Sequence, residues 1–298
     1  MTITAATEIV PSAPHTKPIR TAPRRRTKVL PVAVILSASW LALLVLAAIA
    51  QPILPLPDPS RSDYGAIASL PFTPGHILGT DEIGRDMLAR VIAGARISLT
   101  VGVLAVLVAV VIGAPLGILA GYFSGTTNRV IGVFLDISLA FPSLVALIAL
   151  SVFLGPSLTT IVIGIGIVSA PAIARVARAA TLTYAPREFV TAARGLGAGH
   201  LRILVREILP NVVVPVTSYA LVLVAVAIIG EASLSFLGLG VPPPTSSWGG
   251  MMGTGRSEIT RSPHIVLIPA FFMFISLLAI NFLAEHFTKR FDIKEASL

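Results

Sequence analysis

Acids and bases crowd one stretch of this 298-residue chain, between Gln51 and Arg96. Asp58, Asp63, Asp81, Glu82 and Asp86 alternate with Arg61, Arg85, Arg90 and Arg96. Groups this close could pass protons or hold a cation, so a catalytic or metal centre is the first chemistry to test. The companions are missing. The chain has no cysteine, His76 stands alone in the stretch, and no His-Glu-x-x-His or Gly-x-Ser-x-Gly spacing occurs. Helix capping and surface ion pairs are the better account. Thr80 or Asp81 would cap a short amphipathic helix through Met87, Leu88, Val91 and Ile92, lying along the outer face and feeding the next apolar run. Two more carboxylates lie in apolar surroundings. Asp136 is the one acid well inside an apolar run, where an ionised group must pair or face water. Arg129, seven residues earlier on the same helical face, makes a structural ion pair the leading account, with a proton or substrate site the alternative. Glu231 is placed at the outer end of an apolar helix and is a second candidate polar site. A Gly-x-x-x-x-Gly-Lys-Ser/Thr loop is absent, so the chain has no P-loop route to ATP hydrolysis.

The elements that must hold these groups follow from composition. The chain is 55% hydrophobic and 12% charged, against about 25% charged in soluble domains. It is therefore expected to be an all-α integral membrane protein. Six apolar runs are long enough to span a bilayer: Val29–Ala50, Ile97–Ala120, Val130–Leu154, Leu158–Ala174, Val212–Gly230 and Ile265–Ala284. The net charge of +8 is a matter of orientation, not of nucleic-acid binding. With both termini in the cytoplasm, sixteen of the 22 Lys and Arg fall inside, which satisfies the positive-inside bias. The expected organisation is a disordered cytoplasmic tail over 1–28, a first transmembrane helix over 29–50, and an extracytoplasmic segment over 51–96. A core of five transmembrane helices over 97–288 follows, with a cytoplasmic loop at 179–210, and then a cytoplasmic tail over 289–298. Gly113, Gly117 and Gly121, and likewise Gly164 and Gly166, would let helix backbones approach closely. Pro115, Pro142 and Pro171 would bend the spans that contain them. Trp248 suits a membrane interface.

The longest polar stretch between two apolar ones is Tyr184 to Asn211. Pro186 suits a first helical turn. Phe189, Ala192, Ala193 and Leu196 then recur at helical spacing, Gly197 and Gly199 stop the helix, and Leu201 to Leu209 resumes it until Pro210 closes the second piece. A helix, a glycine turn and a second helix, apolar on one side and basic on the other, suit a partner surface.

This loop resembles the cytoplasmic signature of binding-protein-dependent ABC importer permeases. Ala192-Ala193, Gly197 and Leu209-Pro210 match it, while Thr191 stands where that family has Glu and Glu207 where it has Ile. Gly79 to Leu99 and Gly230 to Gly250 are similar to two further signatures of its peptide and nickel branch. The acid ahead of Ala140-Phe141-Pro142 and the closing NFLAEHFTKRFDIK, with Glu285 where Asp is commoner, extend the likeness over Gly79 to Asp292.

The resemblance implies a type I ABC importer permease fold with six transmembrane helices and a cytoplasmic coupling helix. It further implies the shorter permease subunit of a di- or oligopeptide importer in a bacterial inner membrane, itself without enzymatic activity. Partners would be a homologous second permease, two ABC ATPase subunits that carry the ATP and Mg, an extracytoplasmic binding protein and membrane lipid, with no cofactor in this chain. Glu188, Phe189, Ala192, Ala193, Leu196, Gly197, Leu209 and Pro210 would form the ATPase coupling element, and Asp136 and Glu231 are pore or structural polar residues. Nickel or another small solute remains an alternative cargo, and a proton-coupled secondary transporter an alternative mechanism.

Overall fold

The computed structural model describes residues 30–295, so the tail read over 1–28 and the last residues of that over 289–298 lie outside the described residues. Apart from isolated bridges between single residues, the described residues are helical wherever they are regular. Helix α1 (Leu30–Ala50) is the first span. Helix α2 (Met87–Tyr122) has 36 residues, about 54 Å at 1.5 Å per residue, so it projects well beyond a hydrocarbon core of about 30 Å. The separate amphipathic helix anticipated ahead of it does not exist. Asp86 caps α2 by accepting the Ala89 N–H at 2.8 Å, and Met87 and Val91 are fully buried in its first turns. Thr80 is occupied elsewhere: its hydroxyl donates to the Ala66 carbonyl and accepts the Ser69 N–H. Buried aliphatic side chains demand a packed span, and the helix simply continues.

The third span is broken. Helices α3 (Thr126–Ala140) and α4 (Ser143–Leu154) meet at 84°, with Phe141 and Pro142 in extended conformation between them. Proline has no N–H and pushes its predecessor out of the helical region, which accounts for the break. Pro115 and Pro171, by contrast, lie inside the unbroken helices α2 and α5 (Leu158–Tyr184). After α6 (Glu188–Gly195) and α7 (His200–Ile203), a π turn at Leu204–Ile208 runs straight into α8 (Leu209–Phe236). Pro210 therefore closes nothing. It sits in the first turn of α8, where the wider π turn passes the Leu209 N–H to the Leu204 carbonyl and Asn211 Nδ2 donates to the Glu207 carbonyl at 2.7 Å. Helices α9 (Trp248–Gly255) and α10 (His264–Glu295) complete the chain. Among the described residues five helices are long and apolar enough to cross a membrane, and there are six such spans if the bent pair is counted as one.

The core lies between α2, α5 and α8, with α1 and α10 paired on its flank. Helices α2 and α5 share the largest interface, and glycine makes it possible. A Cβ on Gly113 or Gly117 would collide with the Ala170 or Ala174 carbonyl, and one on Gly121 would lie 2.6 Å from Thr181 Cβ. On the flank, Trp40 Nε1 donates to Ser276 Oγ at 3.1 Å and its ring leans on Phe272. Gly117→Val should therefore wedge α2 from α5 and sharply lower the yield of monodisperse protein in detergent. Gly195→Ala, whose Cβ meets nothing within 4 Å, should leave that yield unchanged. Size-exclusion profiles of the two variants check the contrast.

Candidate functional site

The polar loop hangs from one end of the bundle, called here the loop end. Thr181 in α5 is fully buried, and its carbonyl takes the Ala185 N–H as the chain leaves the helix. Arg187 caps α6, so Pro186 precedes the helix instead of starting it. Glu188 in the first turn and Arg194 in the last both favour the helix dipole. Leu196 is the C-cap, and Gly197 follows at φ +81°. The Gly197 N–H then bonds to the Arg194 carbonyl at 3.1 Å and the Ala198 N–H to the Ala193 carbonyl at 3.0 Å. This is a Schellman motif, which needs the left-handed residue that glycine supplies freely.

Three side chains fasten the loop to the bundle: Val190, Ile203 and Ile208 are at most 1% exposed. Val190 lay outside the expected apolar stripe, yet it is the anchor of α6. Of the stripe itself only Ala193 packs partly against the core, while Phe189, Ala192 and Leu196 are exposed, Leu196 at 89%. Leu201, at 75%, continues the open apolar surface. Glu188, Gly197, Leu209 and Pro210 are exposed as well. A second tie was not legible in the sequence. Tyr122, at the end of α2, hydrogen-bonds His200 Nδ1 at 3.0 Å, and the Arg194 guanidinium lies 5.8 Å from its ring centre. The loop is thus clamped from beneath and presents its apolar side outward.

The opposite end carries the crowded acids and bases; Asp58, Arg61, Asp63 and Arg96 are on the surface, but four others are buried. Asp81, Arg85, Asp86 and Arg90 are each below 9% exposed. Asp81 Oδ2 lies 2.6 Å from Arg85 Nε and 3.3 Å from Arg90 Nε, while its Oδ1 accepts the Arg85 N–H at 2.9 Å. His76 is not alone: its Nδ1 is 2.9 Å from Asp86 Oδ2 and its Nε2 is 3.7 Å from Asp63. The network staples the 51–86 segment onto the first turn of α2. Among the described residues no group of three His, Cys, Asp or Glu is arranged to hold a metal ion.

The two isolated carboxylates part company. Glu231 is five residues inside α8 and wholly buried, not at the helix end. Ser98 of α2 and Ser235 donate to it at 2.9 and 2.6 Å, and the Trp248 N–H approaches Ser98 Oγ at 3.4 Å. Trp248 is itself fully buried, with Nε1 donating to the Val91 carbonyl, so it is core and not interface. Asp136 is open. Its partner is not Arg129 but Arg175 of α5, whose Nη2 lies 2.7 Å away.

This arrangement of spans recurs in solved transporters. A methionine ABC transporter in an inward-facing conformation superposes with a TM-score of 0.59 at 18% identity, over 68% of this chain and 97% of that one. An amino acid ABC transporter superposes with a TM-score of 0.54 at 20% identity, over 68% and 94%. The fold is the type I fold of ABC importer permeases. Residues 113–293 match the model of one family, and the chain belongs to it: the binding-protein-dependent transport system inner membrane components. Curated relatives agree along most of their length. The glutathione transport system permease protein GsiD of Pectobacterium atrosepticum is 36% identical over 263 residues, 88% of this chain and 87% of that one. The di/tripeptide transport system permease protein DppC of Pseudomonas aeruginosa is 41% identical over 218 residues, 73% and 72%.

The buried acid–base network makes a stability prediction. Removing Asp81 leaves two buried guanidiniums without their shared carboxylate. Asp81→Ala should therefore cost about 3 kcal/mol, the usual cost of breaking a buried pair. Thermal unfolding in detergent measures it, and Asp58→Ala, at an exposed position whose carboxylate bonds only Ser60, should shift the transition by under about 0.5 kcal/mol.

Proposed function

We propose that this chain is one of two permease subunits of an ATP-driven importer of peptide-class solutes. The names of its relatives, a glutathione and a di/tripeptide permease, support the substrate class. In this reading a homologous permease completes the pore, an extracytoplasmic binding protein delivers the solute, and two ATPase subunits supply ATP, Mg and motion. Both termini lie in the cytoplasm, which puts the loop end there too, in keeping with the distribution of Lys and Arg. The loop is the coupling element. Phe189, Ala192 and Leu196 seat in an ATPase cleft, Glu188 and Gly197 lie at its edge, and Leu209 and Pro210 join it to α8.

The observation that carries this assignment is the combination of an outward apolar face on α6 with a buried Val190 beneath it. A short, stiff helix clamped on one side transmits a rigid displacement to the spans that hold it.

Gly197 supplies the test. A Cβ there meets nothing within 4 Å inside this chain, so Gly197→Val acts through backbone strain of about 1–2 kcal/mol and through any partner seated on the turn. Membrane levels should stay normal, co-purification with the ATPases should weaken, and ATP hydrolysis should no longer respond to loaded binding protein. Thr191→Glu should be tolerated. Normal transport by Gly197→Val would remove the loop from the coupling role.

Orientation is tested separately by single cysteines, since the chain has none of its own. An impermeant thiol reagent should label Ser60→Cys and Thr254→Cys in intact cells and spare Arg187→Cys. The reverse pattern would invert the topology.

A further inference from the structure

An ion pair that is open in this chain, more than two turns inside the helices that carry it, needs a home. Arg175 and Asp136 are 57% and 67% exposed at the side chain, 2.7 Å apart. Arg175 lies nine residues before the end of α5 and Asp136 ten residues into α3. Both are thus about 14–15 Å from the loop-end termini of their helices. Facing lipid is costly for an ionised side chain, and sealing the pair dry against another subunit would forfeit the hydration of both. A water-filled passage avoids both costs.

Two further observations point the same way. Helix α5 is the most enclosed of the spans, and its exposed positions, Thr159, Ile163, Ile167, Arg175, Ala179, Leu182 and Thr183, form a stripe at mostly four-residue steps, interrupted by the buried Pro171. Such a stripe is what a pore-facing helix leaves bare. The break at Phe141-Pro142 lies about a turn and a half from Asp136, and α4 starts there without a side-chain cap. The last carbonyls of α3 and the first N–H groups of α4 therefore lack helical partners, and within a membrane such backbone is kept from lipid, either inside protein or along a water-filled cavity.

We infer that the Asp136–Arg175 pair lines the translocation path and is a binding station for zwitterionic solutes, its carboxylate meeting an ammonium and its guanidinium a carboxylate. The solute class rests on the peptide-import reading, while the pore-lining position does not. The pair opens when the solute's charges replace its own partners, and it closes behind the solute, so neither charge is left bare at any stage.

The test uses the whole importer, both permeases, ATPases and binding protein, in proteoliposomes. Asp136→Asn and Arg175→Gln should assemble and keep ATP hydrolysis responsive to loaded binding protein, while dialanine uptake per ATP falls at least tenfold. The exchanged pair Asp136→Arg with Arg175→Asp should not recover uptake, because the charges meet the oriented solute reversed. Full recovery would make the pair structural and overturn the inference. An Ile167→Cys reporter, exposed and two turns further from the loop end than Arg175, tests the position independently of the solute. It should react with trimethylammonioethyl and sulfonatoethyl methanethiosulfonate. Arg175→Gln should shift its preference severalfold toward the cationic reagent, and Asp136→Asn toward the anionic one. An unreactive Ile167→Cys would place the face against lipid or protein and overturn the inference. Absence of dialanine uptake by the unaltered importer would count against the peptide reading, whereas the labelling preference judges the position of the pair whatever the solute.

Discussion

Everything in this structure depends on how closely α2 can lie against α5. In a bilayer, apolar side chains gain nothing by leaving lipid for one another, so helices hold together through dense contact and hydrogen bonds. Gly113, Gly117 and Gly121 bring the α2 backbone onto the carbonyls and small side chains of Ala170, Ala174, Ala177 and Thr181. With that pair set, α8 packs across both, and the same α2 that supplies the glycines also supplies Ser98 to Glu231 and Tyr122 to the loop. One seam therefore registers both ends of the molecule.

The parts legible in the sequence are those governed by local rules. Apolar run length found the spans, because a bilayer imposes its thickness on any chain that crosses it. Four of the spans are still longer than their apolar runs, as α2, α5, α8 and α10 all extend beyond them. Helix periodicity and Gly197 located the α6 turn for the same reason: a left-handed residue after a short helix is written in two or three neighbouring positions. The spacing of glycines likewise announced a close helix contact, though not which helix would meet them.

What escaped was partner choice. Arg129 is close to Asp136 along the chain, but Arg175 is the residue the fold brings to it. Asp81, Arg85, Asp86 and Arg90 looked like members of surface pairs because nothing local says that the chain will fold over them. Trp248 read as interfacial for the same reason, although its indole is spent on the Val91 carbonyl in the core. Val190 was passed over since its role is to touch the bundle, and the periodic stripe marks the face that does not. Pro210 misled in another way. A proline inside an apparent helix usually ends it, and only the π turn ahead of it lets the helix run on.

That π turn has a mechanical consequence. From His200 to Phe236 the chain is a single rod of 37 residues, about 55 Å long, rooted at one end in the loop and at the other in the Glu231–Ser98–Trp248 knot. The α3–α4 span beside it is split at 84°. The same bundle thus combines a push rod with a compliant elbow. In the coupling role proposed above, a tilt applied to the loop would travel along α8, and the break between α3 and α4 is where a difference in travel would be taken up.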